Sequence, residues 1–121
     1  MQIVRRGEAV KDDVTNTPIF IGGKVFRKDM IGAENSKYFI FGIVEFDAGS
    51  RNKFHSHTSD QILFVTSGTG IVATENVEAE VREGDTILIP EGEKHWHGAT
   101  SESNFSHLQV RTVGSETHIL E

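Results

Sequence analysis

Nine short runs of strand formers, each ended by a glycine-bearing or polar turn, leave this chain little choice of fold class. The runs lie near Ile19–Ile21, Lys24–Arg27, Lys37–Asp47, Gln61–Thr66, Gly70–Thr74, Val77–Arg82, Thr86–Ile89, His95–Thr100 and Phe105–Val113. The turns are "IGGK", "DAGS", "TSGTG", "TENV", "REGD" and "PEGEK", and no long stretch carries the 3.6-residue period of an amphipathic helix. Strands this short and evenly spaced predict an all-β chain, either a sandwich or a small antiparallel barrel.

No internal repeat or linker divides the 121 residues, so residues 1–121 read as a single domain. A chain of that length buries roughly two-thirds of its unfolded surface, enough to support a site without disulfides. The run Tyr38–Phe46 ("YFIFGIVEF") places apolar side chains at both parities, so both faces of that strand call for burial. A second layer of the same chain or a partner subunit would serve equally, and a homodimer is the expectation carried forward. Residues 1–17 have weak periodicity and are expected to form an edge strand or a dimer arm.

Composition removes several function classes. The absence of cysteine excludes disulfide scaffolds, thiolate zinc sites and cysteine nucleophiles. A formal net charge of −6 argues against nucleic acid, and the doublets Arg5/Arg6 and Arg27/Lys28 read as solvated surface charge. No apolar run approaches the roughly 18–20 residues of a membrane span, and "MQIVRRGEAV" lacks the apolar core of a secretory signal. The expectation is a cytoplasmic protein that meets neither membrane nor nucleic acid.

The chemistry is concentrated in two segments. "GSRNKFHSHTSDQILFVTSG" (residues 49–68) contains His55 and His57, and "GDTILIPEGEKHWHG" (residues 84–98) contains His95 and His97. Residues i and i+2 of a strand share a face, so each His-x-His pair aims two imidazoles the same way. Gln61 shares the parity of His57 if no bulge intervenes, whereas Asp60 points away. Three neutral imidazoles with one oxygen donor suit a divalent transition metal. The plainer alternatives are loop histidines for the first pair, a strand-opening amide for Gln61, and core histidines for His97 and His107. His118 stands apart from both clusters.

The frames around these histidines resemble the cupin family. Residues 49–68 fit its first motif, a glycine, five residues, His-x-His, three residues, a usually acidic position, six residues and a glycine. Residues 84–99 fit its second, a glycine, five residues, Pro-x-Gly, two residues and a histidine, with Ala99 where asparagine often stands. The resemblance implies a single-domain cupin, a small antiparallel β-barrel or jelly roll. It also implies His55, His57, Gln61 and His95 as metal ligands, with Gln61 in the usual glutamate position.

"HTSDQILFVTSGTG", "PEGEKHWHGAT" and "FSHLQV" look like a subgroup of small bacterial cupins associated with carboxymuconolactone decarboxylases. That subgroup includes manganese-dependent hydroxynitrile lyases with a three-histidine, one-glutamine site. It implies that His97 and His107 line the active pocket as catalytic groups. One divalent ion per chain is then expected, manganese before iron, nickel, zinc or copper. With glutamine in place of glutamate, the ligands leave the full +2 charge uncompensated, which favours an alkoxide, enolate, hydroxide or cyanide. The expectation is a lyase-like enzyme of a small molecule, with His97 or His107 titrating near working pH to move a proton. An isomerase, an iron-dependent dioxygenase and a non-catalytic metal- and ligand-binding protein are the alternatives.

Overall fold

In the computed structural model, which describes all 121 residues, the chain is built from strands alone. In order they are β1 (Lys11–Asp13), β2 (Phe20–Ile21), β3 (Val25–Ile31), β4 (Phe39–Phe46), β5 (Arg51–Asn52), β6 (His55–His57), β7 (Gln61–Thr74), β8 (Glu78–Arg82), β9 (Thr86–Ile89), β10 (His95–Ala99), β11 (Phe105–Thr112) and β12 (Thr117–Ile119). All pair antiparallel. One sheet runs β1-β3-β4-β11-β7 with β9 beyond β7. The other runs β8-β7-β10-β5-β2, with β6 beside β10 and β12 beside β6. The all-β expectation holds. Within residues 1–17, β1 pairs with β3 at the end of its sheet.

The two sheets share β7. "TSGTG" was expected to be a turn separating two strands, but β7 runs through it for 14 residues. At Gly68 the backbone takes φ +74°, and a Cβ there would collide with the Asn104 carbonyl. The pairing register with β11 slips at the same place, between Ser106 and His107. This is a glycine bulge, which bends a strand without ending it. It lets the first half of β7 pair with β11 and β9 and the second half with β10 and β8.

Alternation then decides what faces inward. Val44 and Phe46 of β4, Leu63 and Val65 of β7, and Phe105 of β11 are buried, and they join Val25, Val72, Val81, Ile89 and Ala99 in one apolar cluster. On the outer face of β4, Phe39 is exposed while Phe41 and Ile43 are half-buried. Gln2 and Val4 of the N-terminal arm share a surface hollow with Met30 and Phe41, so the arm lies along part of that face. Five histidines continue the interior beyond the apolar cluster. The Phe46 ring sits 6.0 Å from His97 and 5.8 Å from His107.

Candidate metal centre

His55 and His57 lie on the three-residue strand β6, held between β10 on one side and β12 on the other. His95 opens β10 directly opposite His55. All three are buried, and their ring centroids stand 4.8 Å (His55–His57), 4.2 Å (His55–His95) and 5.4 Å (His57–His95) apart. Gln61, the first residue of β7, is 3% exposed, while its neighbour Asp60 faces solvent and accepts a hydrogen bond from the Glu91 N–H.

The outer nitrogens of the three rings are all engaged. His55 Nδ1 lies 2.6 Å from the Lys53 carbonyl and His95 Nδ1 lies 2.8 Å from the Glu93 carbonyl. A carbonyl only accepts, so both rings carry their proton on Nδ1 and leave Nε2 as a lone pair. His57 Nδ1 meets the Thr117 hydroxyl at 2.9 Å. Gln61 donates through Nε2 to Gln109 Oε1 at 2.9 Å, which turns its own carbonyl oxygen the other way. Three buried atoms are thereby left without a hydrogen-bond partner: His95 Nε2 and Gln61 Oε1, which are acceptors, and His57 Nε2, which is one when Thr117 accepts from His57 Nδ1. An unpartnered buried acceptor costs about 1–3 kcal/mol, so three together mark a place where a cation fits. Neutral nitrogen and oxygen donors with their outer atoms fixed are what a divalent ion requires.

The three histidines whose ring nitrogens all lie within 4.8 Å of one another are His55, His95 and His97, and His57 is outside that group. The hydrogen bonding of His97 sets it apart. His107 Nδ1 donates to the Leu108 carbonyl at 3.2 Å, leaving His107 Nε2 to accept from His97 Nδ1 at 3.0 Å. His97 Nε2 then accepts from the Asn52 amide at 3.2 Å, and Asn52 Oδ1 accepts from the His97 backbone N–H at 2.8 Å. Both nitrogens of His97 have partners, unlike the inner nitrogens of His57 and His95.

A cavity of about 320 Å³ opens onto His55, His57, Gln61 and His97. Asn52, Gln109, Arg27 and Arg111 also line it, with Val44, Phe20 and Ile119 among its apolar residues. His107 is fully buried and sits behind His97 without reaching the cavity. Arg27, read from the sequence as surface charge, faces this cavity instead. The doublet is split because strand alternation turns Lys28 outward toward Glu45. Thr117, Gln109 and Arg111 were not singled out from the sequence. Only the inward parity of Gln109 and Arg111 with His107 could have flagged the latter two.

Burial dominates the electrostatics. It pushes the His55 imidazole down to about 4 and that of His57 to about 3, with neighbouring imidazoles and the Arg111 guanidinium adding to the effect. His95 is lowered for the same reason, His97 is held well below its ordinary range, and His107 falls to about 4. The sequence reading expected a proton-transferring histidine titrating near working pH. Burial instead keeps both His97 and His107 neutral there.

Residues 42–111, more than half of the chain, match the family model described as "Cupin domain". The (R)-mandelonitrile lyase of Granulicella tundricola is 38% identical over 69 residues, 56% of this chain and 53% of the lyase. The acireductone dioxygenase of Bacillus thuringiensis is 39% identical over 49 residues, 36% of this chain and 29% of the dioxygenase. The chain therefore spans about half or less of the length of these curated relatives. The crystal structure of a cupin-like protein from Thermotoga maritima superposes with a TM-score of 0.77 at 27% identity, covering 96% of this chain and 87% of that one.

Proposed function

This chain belongs to the cupin family, and from that premise we propose that it is a metal-dependent, lyase-like enzyme of a small organic molecule. In this reading one divalent ion is held by His55, His57, Gln61 and His95, and manganese is the resident metal. The observation that carries the proposal is the trio of buried polar atoms without partners, His57 Nε2, His95 Nε2 and Gln61 Oε1. When bound there, the ion would supply a Lewis acid that polarises a hydroxyl or carbonyl oxygen. Donor groups that carry no charge favour an anionic oxygen or cyanide over the less positive sites of many oxygen-activating enzymes. The 38% identity to a mandelonitrile lyase points the same way.

His97 is the group that reaches both cavity and relay. Neutral at working pH, it takes the substrate's hydroxyl proton on Nε2 as the Asn52 amide yields, and its Nδ1 proton can pass to His107 Nε2. For a cyanohydrin, the carbon–cyanide bond then breaks to give aldehyde and cyanide, and the proton returns from the His97–His107 pair to cyanide. His107 acts through His97, as a relay and a positioning residue. We extend the proposal to the cytoplasm and to a homodimer. Exposed Ile62, Phe64 and Leu88 lie together on the paired strands β7 and β9, a face that a second copy would cover.

Metal analysis of untagged protein purified without chelator tests the reading, beside the variants H57A and H97A. Near-stoichiometric manganese in the wild type and H97A, lost in H57A, supports it; equally little metal in all three, even after reconstitution, overturns it. Similarity to an acireductone dioxygenase favours a second reading, an iron enzyme. Stoichiometric iron with turnover that stops without oxygen would select that one.

A further inference from the structure

The cavity wall is electrostatically one-sided. Two arginines line it, Arg27 and Arg111, and no aspartate or glutamate does. The chain as a whole carries −6, so this is a local concentration of positive charge against the general trend. Arg111 follows His107 and Gln109 on the inward parity of β11, and Arg27 lies opposite Val44 across the β3–β4 ladder.

Both guanidinium groups keep donors to spare, although Arg27 has one ion partner in Asp29. Arg111 reaches only Gln109 Oε1 at 3.4 Å and Ser115 Oγ at 3.3 Å, both long. Arg27 Nε is buried without a hydrogen bond. It stands 3.1 Å from the half-exposed carboxylate of Asp29, which lies outside the cavity wall. The two cations also oppose each other. After burial, the charge of Arg27 is the main influence holding Arg111 below its usual range, and Asp29 offsets only part of that. Two like charges with donors to spare, aimed at one hollow, repel each other, and an anion placed between them would offset that repulsion.

We propose that Arg27 and Arg111 form the anion subsite of this cavity, so that the substrate is a small carboxylic acid whose hydroxyl or carbonyl oxygen is directed toward the histidines. A planar carboxylate matches the guanidinium fork. A phosphate is less suited, because the chain has no helix whose N-terminus could supply backbone donors. The proposal rests on the metal-centre reading only for the second half of the substrate. The anion subsite itself consists of residues outside the metal-facing set.

The test compares 4-oxopentanoate with its uncharged amide, by titration calorimetry, on metal-loaded and on chelator-stripped protein. The two molecules differ in charge and hardly in shape. The wild type should prefer the acid by about tenfold or more in both states, as expected of charge-assisted hydrogen bonds. R111Q and R27Q should each reduce that preference, and the double variant should abolish it. R82Q, at an exposed arginine of β8, should leave it unchanged. Equal affinity for acid and amide in the wild type would overturn the proposal without needing any variant to fold. So would a preference that survives the double variant, or stronger binding of inorganic phosphate than of the acid. A preference seen only with metal and indifferent to both arginines would overturn the subsite and leave the metal centre standing. A preference in a protein that never holds metal would support the subsite and refute the metal reading.

Discussion

Substituting Thr117 by valine separates the two metal sets that the geometry allows. Thr117 belongs to β12, pairs across the ladder with His57, and places its hydroxyl oxygen 2.9 Å from His57 Nδ1, where it accepts whenever Nε2 is free for a metal. Valine keeps the shape and strand propensity but removes the acceptor, so the ring loses what fixes its tautomer and angle. Loss of such an outer contact typically weakens metal affinity about 10- to 100-fold, equivalent to about 1.4–2.8 kcal/mol. At fixed excess metal, the stabilisation conferred by the ion falls by the same amount. For a domain of this size that is a loss of roughly 5–12 °C from the metal-induced rise in Tm. The metal-free variant should itself be weaker by about 1 kcal/mol, because the Nδ1 proton loses its partner. The comparison is therefore between metal-induced increments, measured by scanning calorimetry and by competition with a chelating dye. Affinity unchanged within twofold would refute the inclusion of His57. If N52L, which strips His97 of its amide partner, then weakened metal binding instead, the set would be His55, His95 and His97.

Three further predictions follow from the packing and the charges. H107Q should retain metal within error while lowering kcat by tenfold or more, read by metal analysis beside steady-state kinetics; unchanged kcat would remove the relay. Chelator-treated protein should lose stability as the pH falls from 6.5 towards about 4, because the unfolded chain takes up protons that the buried rings refuse. For His107 alone, at about 1.4 kcal/mol per pH unit, the gap amounts to about 3 kcal/mol. That contribution is complete above pH 6.5 and gone below about 4, so urea midpoints measured between should decline, and flat midpoints would contradict neutral burial. F46A removes a side chain 1% exposed, stacked on Phe105 and against both His97 and His107. It should cost about 3–5 kcal/mol, seen as a fall in Tm of roughly 10–20 °C.

Much of this molecule is legible in its sequence, because the relevant signals are local. Strand parity alone pairs His55 with His57 and turns Asp60 away from Gln61, since alternation needs nothing beyond neighbouring residues. The glycines and Pro90 frame both histidine pairs at spacings that can be read directly from the chain. Strand existence was equally readable, and Thr86–Ile89 even keeps its bounds.

What remained hidden depends on long-range pairing. The bulge at Gly68 looks like a turn in sequence, and only the Asn104 carbonyl against it and the register slip with β11 make it a bend within one strand. Thr117 lies 60 residues from His57 and Gln109 lies 48 from Gln61, so no local pattern could have matched them. His107 has the parity of a pocket residue, yet the position of His97 places it behind the wall. Arg27 and Arg111 are 84 residues apart in sequence, and they face one cavity only because β3, β4 and β11 are adjacent in the sheet. Alternation and punctuation in the chain determined the strands, their faces and the candidate ligands. Which side chains stand behind those ligands, and which charges look into the cavity with them, was decided by sheet order, which no short stretch of sequence contains.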